Sequence, residues 1–223
     1  MSVKPFQKIL CSRSALLTQD LSTAQVTTLL QACVFGQIQA DRLYRQAPAS
    51  NWLTHRFSAL EKLGFRTVRR RQDILELELD TAPSLATLIQ DTAQRYLPDE
   101  VVAALQRLLA AAATTDNVPP AIAWPAGLED NTLIDLPHTD PVLLTFSLTV
   151  ATNANTATVI ALTVLPAASP RQTPPPLVLK IALRDYSVGD EFWSQAKRLK
   201  ATVGDYVARH SVSLGTVQDA PTA

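Results

Sequence analysis

The run PVLLTFSLTVATNANTATVIALTVLPA, from Pro141 to Ala167, switches the hydrophobic period of the chain from helical to two. Leu144, Phe146, Leu148 and Val150 alternate with Thr145, Ser147 and Thr149, the pattern of a strand with two unlike faces. Thr152 to Thr156 is polar turn material, and Thr158 to Leu165 returns as a second strand. So short a connection requires antiparallel pairing, because parallel strands need a long crossover. A proline-rich loop, Pro166 to Pro176, leads to a third strand at Leu177 to Arg184. A helix carrying Phe192, Trp193, Leu199, Val203 and Val207 comes next, then a short strand at Val212 and Leu214.

Upstream the period is mostly helical. Ser22 with Gln25 has capping-box spacing, and an apolar stripe from Val26 through Leu30, Cys33 and Ile38 carries the helix to about Arg45. Asn51 caps a second helix with Trp52, Leu53, Phe57 and Leu60, which ends at Gly64. Phe65 to Arg71 and Ile74 to Asp80 read as strands, and Gln72-Asp73 between them predicts a hairpin. Pro83 opens a helix with Leu85, Ile89 and Ala93 on one face; Leu97-Pro98 breaks it, and Asp99 starts another with Val101, Leu105 and Leu108. Five prolines keep residues 118 to 141 irregular, with Trp124 as their anchor on the core. The pattern predicts a single α+β domain over 1–223: a mostly antiparallel sheet covered by helical hairpins, with 1–20 and 212–223 as tails.

Composition narrows the function classes. Lys+Arg and Asp+Glu are both 20, so no global charge draws the chain to nucleic acid or an anionic surface, and self-association is tolerated. No segment has the roughly 18 apolar residues of a spanning helix, and residues 1 to 20 lack a continuous apolar signal region. The expectation is a protein made soluble in the cytoplasm, with any release by a non-classical route. The six glycines include no phosphate-cradling motif. No cofactor is expected.

Several constellations carry alternatives. Cys11 and Cys33 read as packed reduced thiols or as acylation or redox sites. Arg66, Arg69, Arg70 and Arg71 form the densest basic run. They suit lipid phosphates, or a solvated strand end paired to Glu76 and Glu78 across the hairpin. The Thr145, Ser147 and Thr149 row suits a strand between lipid and water, or any sheet with one wet face. His138 with Asp140 resembles a base with an orienting carboxylate, but no serine has a nucleophile-elbow setting. Glu129, Asp130, Asp135 and Asp140 match no EF-hand spacing and read as a solvated loop; no metal site is expected.

The segment order resembles the Cyt-type cytolysins, the fold of bacterial insecticidal Cyt toxins, a fungal cardiotoxic haemolysin and the virulence factor Evf. Leu29 to Cys33 resembles the family's early helix, and TLIQDTAQRYLPDEVVAALQRLLAA, Thr87 to Ala111, its paired helices before the long strands. The Pro141–Ala167 run resembles its central strands, and PLVLKIALRDYSVGDEFWSQAKRL, Pro176 to Leu199, its next strand and trailing helices. The likeness covers roughly residues 22–210. It implies three layers, non-enzymatic lipid binding, and helix displacement followed by strand insertion or carpet-like disruption. Strands 142–150, 158–165 and 177–184 would then be membrane-active, beneath detachable helices at 84–96 and 99–112. The chain is shorter than the insecticidal members, and no counterpart of the acylated cysteine of Evf is placed. A membrane-acting virulence or cytolysin-like protein is the leading expectation. A non-lytic accessory or immunity-type protein and a hydrolase using His138 and Asp140 are the alternatives.

Overall fold

A computed structural model describes residues 5–11, 13–47, 51–77, 85–114, 144–166 and 177–213. In chain order the elements are β1 (Gln7–Cys11), β2 (Ser14–Thr18), α1 (Thr23–Gln46), α2 (Trp52–Glu61), β3 (Phe65–Leu77), α3 (Leu85–Tyr96) and α4 (Asp99–Thr114). Then come β4 (Leu144–Asn153), β5 (Thr156–Pro166), β6 (Leu177–Val188), α5 (Asp190–Trp193), α6 (Ala196–His210) and β7 (Ser211–Ser213). Local signals set many of these boundaries. Ser22 and Gln25 form a reciprocal capping box at α1, and Asn51 Oδ1 accepts from the Leu53 amide at α2. Gly64 takes φ +97° between α2 and β3, and a Cβ there would stand 3.0 Å from the Phe192 amide nitrogen. A side chain there would be strained by the backbone and crowded by its neighbour.

The strands form one seven-stranded sheet in the order β3-β6-β5-β4-β2-β1-β7. Every pairing is antiparallel except β2 with β4. The expected α+β class and mostly antiparallel sheet are present. The β4–β5 turn narrows to Ala154 and Asn155, held by Asn153 Oδ1, which accepts from the Asn155 amide at 2.8 Å and the Thr156 hydroxyl at 3.1 Å.

Two expectations are corrected. Residues 7–18 are not a tail: β1 and β2 form a hairpin that enters the sheet beside β4, burying Leu10, Leu16 and Leu17. β2 is buried at all five positions and β1 at three, so neither carries a clean apolar–polar alternation. At the other end, β7 puts residues 211–213 on β1, while residues 214–223, Leu214 among them, lie outside the described residues. The hairpin at Gln72-Asp73 is absent as well. β3 runs on as one strand of 13 residues because β6 offers it a continuous antiparallel partner, with one bulge between Thr67 and Arg69. The arginines and Glu76 therefore lie along one strand and not across a turn, while Glu78 lies outside the described residues.

Apolar clusters lie on both faces of the sheet. On one, Phe146, Leu148, Ile160, Leu162, Ile181 and Leu183 pack beneath α3 and α4, whose Ile89, Ala93, Val101, Leu105 and Leu108 face them. On the other, α1, α2 and α6 cover a face of smaller side chains that includes Ala151, Ala157, Ala161 and Ala182. The second cluster takes most of its apolar volume from the helices: Leu29, Leu30, Trp52, Phe57, Leu60 and Leu199.

Candidate functional site

The small-residue face can be followed row by row through the strand register. Its central row is Ser14, Ser147, Ala161 and Ala182 on β2, β4, β5 and β6. Thr145, Thr163 and Lys180 form the row on one side, and Leu16, Thr149, Val159 and Arg184 the row on the other. With nothing larger than serine in it, the central row is a trough. Into that layer α2 places Arg56, which is 0% exposed. Its Nη2 donates to Ser147 Oγ at 3.3 Å. The helix above is cut away to fit: a Cβ on Gly36 of α1 would lie 2.0 Å from Arg56 Nη1.

A polar chain links this arginine to the surface. Ser147 Oγ is 3.0 Å from Ser14 Oγ, which donates to Gln37 Oε1 at 2.6 Å. Gln37 in turn lines an open groove of about 530 Å³ with Arg13, Asp41, Arg42 and Tyr206. Asp41 there accepts from Arg13 at 2.5 Å and from Trp52 Nε1 at 2.8 Å. Deeper in, Cys33 Sγ meets Thr149 Oγ1 at 3.1 Å.

Much of the layer is under-satisfied. The Cys33 thiol interacts with the guanidinium, yet Nε and Nη1 of Arg56 have no partner of hydrogen-bonding geometry among the described residues. The same holds for the hydroxyls of Thr18, Thr145, Thr163 and Tyr186. Burial lowers the Arg56 pKa from its ordinary value, opposed chiefly by Cys33 and Tyr186 and more weakly by Asp41. A guanidinium starts so high that it keeps its charge. Burying such a charge costs several kcal/mol, roughly, unless it is compensated.

The sequence-derived candidates separate. Thr145, Ser147 and Thr149 sit together, but at 0%, 1% and 1% exposure they meet neither water nor lipid in this fold. Period two identifies two unlike faces; here helices cover both. Cys11 and Cys33 are free and buried on this same face. Burial, with Cys33 nearby, pushes the Cys11 thiol up to about 12, so it is a poor nucleophile while folded. The arginine run lies at the sheet edge. Arg70 joins Arg184 at Glu61 on the α2 side, Arg71 stands over the Tyr96 ring at 5.8 Å, and Arg66 reaches Glu191. Arg69 is exposed and shares the Arg71 face, opposite Arg70, as alternation requires.

Trp124, Glu129, Asp130, Asp135, His138 and Asp140 lie outside the described residues. Among the described residues, no three His, Cys, Asp or Glu side chains are grouped to hold a metal ion. Arg56, Gly36, Gln37 and Ser14 are the site residues that sequence reasoning missed. A signal existed for the first: Arg56 falls four residues from both Trp52 and Leu60, on the apolar stripe of α2. No protein-family model matches this chain, and neither a curated protein nor a solved structure matches it.

Proposed function

We propose that this protein acts on lipid bilayers, as a three-layer cytolysin-type protein whose α3–α4 hairpin parts from the sheet. One observation supports this above others. β4, β5 and β6, of 10, 11 and 12 residues, carry large apolar side chains on the α3–α4 face and Ser, Thr and Ala on much of the other. A tilted strand of about 9–11 residues spans a bilayer core, with alternate residues facing lipid and lumen. Lipid is as apolar as the α3–α4 stripe, so it offsets the burial lost on parting, about 1.5–3 kcal/mol for each large side chain. No helix among the described residues is long and apolar enough to cross a membrane, so spanning on this reading falls to the strands.

Dye release from vesicles of phosphatidylcholine, with and without phosphatidylserine, tests the proposal. Release should occur, and a disulfide engineered between α4 and β2 should block it until reduced. No binding and no release with either composition would discard it. The β3 edge favours a second reading, a non-lytic accessory or immunity-type protein. Val68 and Ile74 are 71% and 59% exposed there, on an edge strand whose outer side no other described strand pairs. Stoichiometric co-purification of one protein, indifferent to lipid, would favour that reading.

A further inference from the structure

The small-residue layer holds a charge without a matching counter-charge. Arg56 is fully buried, and among the described residues no carboxylate forms an ion pair with it. The carboxylate that acts on it, Asp41, is already engaged by Arg13 and Trp52 Nε1. Nε and Nη1 are unused donors, and the Thr145 and Thr163 hydroxyls, cross-strand neighbours in the next row, are unused too. Lys180 continues that row as a second, half-buried cation. Unpartnered guanidinium and hydroxyl groups are therefore concentrated in one buried layer. Ala161 and Ala182 keep its floor low, and the Gln37–Ser14–Ser147 chain connects it to the α1 groove.

We infer that this layer is an oxyanion-binding site: a phosphate-class anion held by Arg56, with the Thr145 and Thr163 hydroxyls as further donors, entering from the groove beside Gln37. Bidentate guanidinium recognition suits a tetrahedral oxyanion, and hydroxyl donors complete its shell. Such a site needs no membrane activity. The same chemistry is offered by free phosphate and by a phosphomonoester lipid headgroup, and the test separates them.

Thermal unfolding of the full chain is followed while inorganic phosphate, or monomeric dihexanoyl phosphatidic acid, is titrated at constant ionic strength. A ligand that binds only the folded state raises Tm with the logarithm of its concentration above Kd. A saturable rise with phosphate assigns the site to the free anion. A rise with the short-chain lipid alone assigns it to a headgroup. Arg56→Met should abolish either rise, and Thr163→Val should weaken binding about tenfold, the loss of one hydrogen bond to a charged group. Should Arg56→Met fail to fold, the arginine Nε–H resonance of Thr163→Val, titrated alongside wild type, carries the same comparison. No rise with either ligand, or a rise that survives in Arg56→Met, overturns the inference.

Discussion

The two faces of one sheet are built on opposite rules. Beneath α3 and α4, β4 to β6 present Phe, Leu, Ile and Val that fill space against apolar helix stripes. Beneath α1 and α2, the same strands present mostly Ser, Thr and Ala, with Val159, Arg184 and Tyr186 to one side, and the helices supply much of the bulk together with a buried cation. On the first face stability scales with apolar volume. On the second it depends on fit and on polar satisfaction, which is where specificity and ligands are accommodated.

Truncation should separate the faces most strongly. Phe146→Ala removes a ring that is 2% exposed in the apolar cluster and should cost about 3–5 kcal/mol in urea unfolding. Ser147→Ala, one residue along and 1% exposed on the other face, should cost about 1 kcal/mol. Equal losses would break the contrast.

Gly36→Ala is next in size. Alanine is ordinarily better than glycine inside a helix by about 1 kcal/mol. Here its Cβ meets Arg56 Nη1 at 2.0 Å, so the expected result is a loss of about 1–3 kcal/mol from overpacking. Combining it with Arg56→Met should recover that loss, and a double-mutant cycle reads the coupling. Additive effects would mean the glycine serves something other than the guanidinium.

Alkaline pH should act through the same face. Burial raises Cys11 from 9.0 to about 12, and raises Tyr186 from 10.0 to about 12 despite Arg184 nearby. The folded state thus keeps protons that the unfolded chain releases. This contribution is complete below pH 9 and is lost as pH rises toward about 12. Urea unfolding at stepped pH should show a loss on the order of 1 kcal/mol by about pH 10. Cys11→Ala should move its onset from near the thiol value to near the Tyr186 value of 10.0. An unchanged onset would place the titration elsewhere.

The chain announces its local structure and conceals its layering. The Ser22–Gln25 box, the Asn51 cap, Gly64 and the β4–β5 turn are legible because each is fixed by neighbours a few residues away. β1 and β2 are not, because β2 is seated on Ser147 and Leu148 of β4 and β1 on Val212 of β7, more than a hundred residues on. The Gln72-Asp73 hairpin fails for a related reason: polar residues tolerated on an exposed edge strand look like a turn when β6 is out of view. The Ser/Thr row shows what period two carries. It separates faces and leaves their surroundings unsaid, and here the polar side is drier than a solvent-facing sheet would be. Of the site, Ser147 is legible as part of that row; Arg56 is not, because arginine is a surface residue in most folds and its partners lie on other elements.

The smallest expected change is the most diagnostic. In phosphate-free buffer Arg56→Met removes one hydrogen bond to Ser147 and a desolvated charge while keeping a long side chain in the trough. Replacing an under-compensated buried ion by an apolar residue of similar length is commonly neutral or stabilising by about 1–4 kcal/mol. The variant should therefore unfold within about 1 kcal/mol of wild type or above it, the reverse of Phe146→Ala. Adding phosphate should then raise wild type past the variant, because only wild type gains a bound anion. A large loss in Arg56→Met without phosphate would show that Ser147 and Cys33 already compensate the guanidinium. The small-residue face would then be a second structural core, held together by polar contacts where the first uses volume.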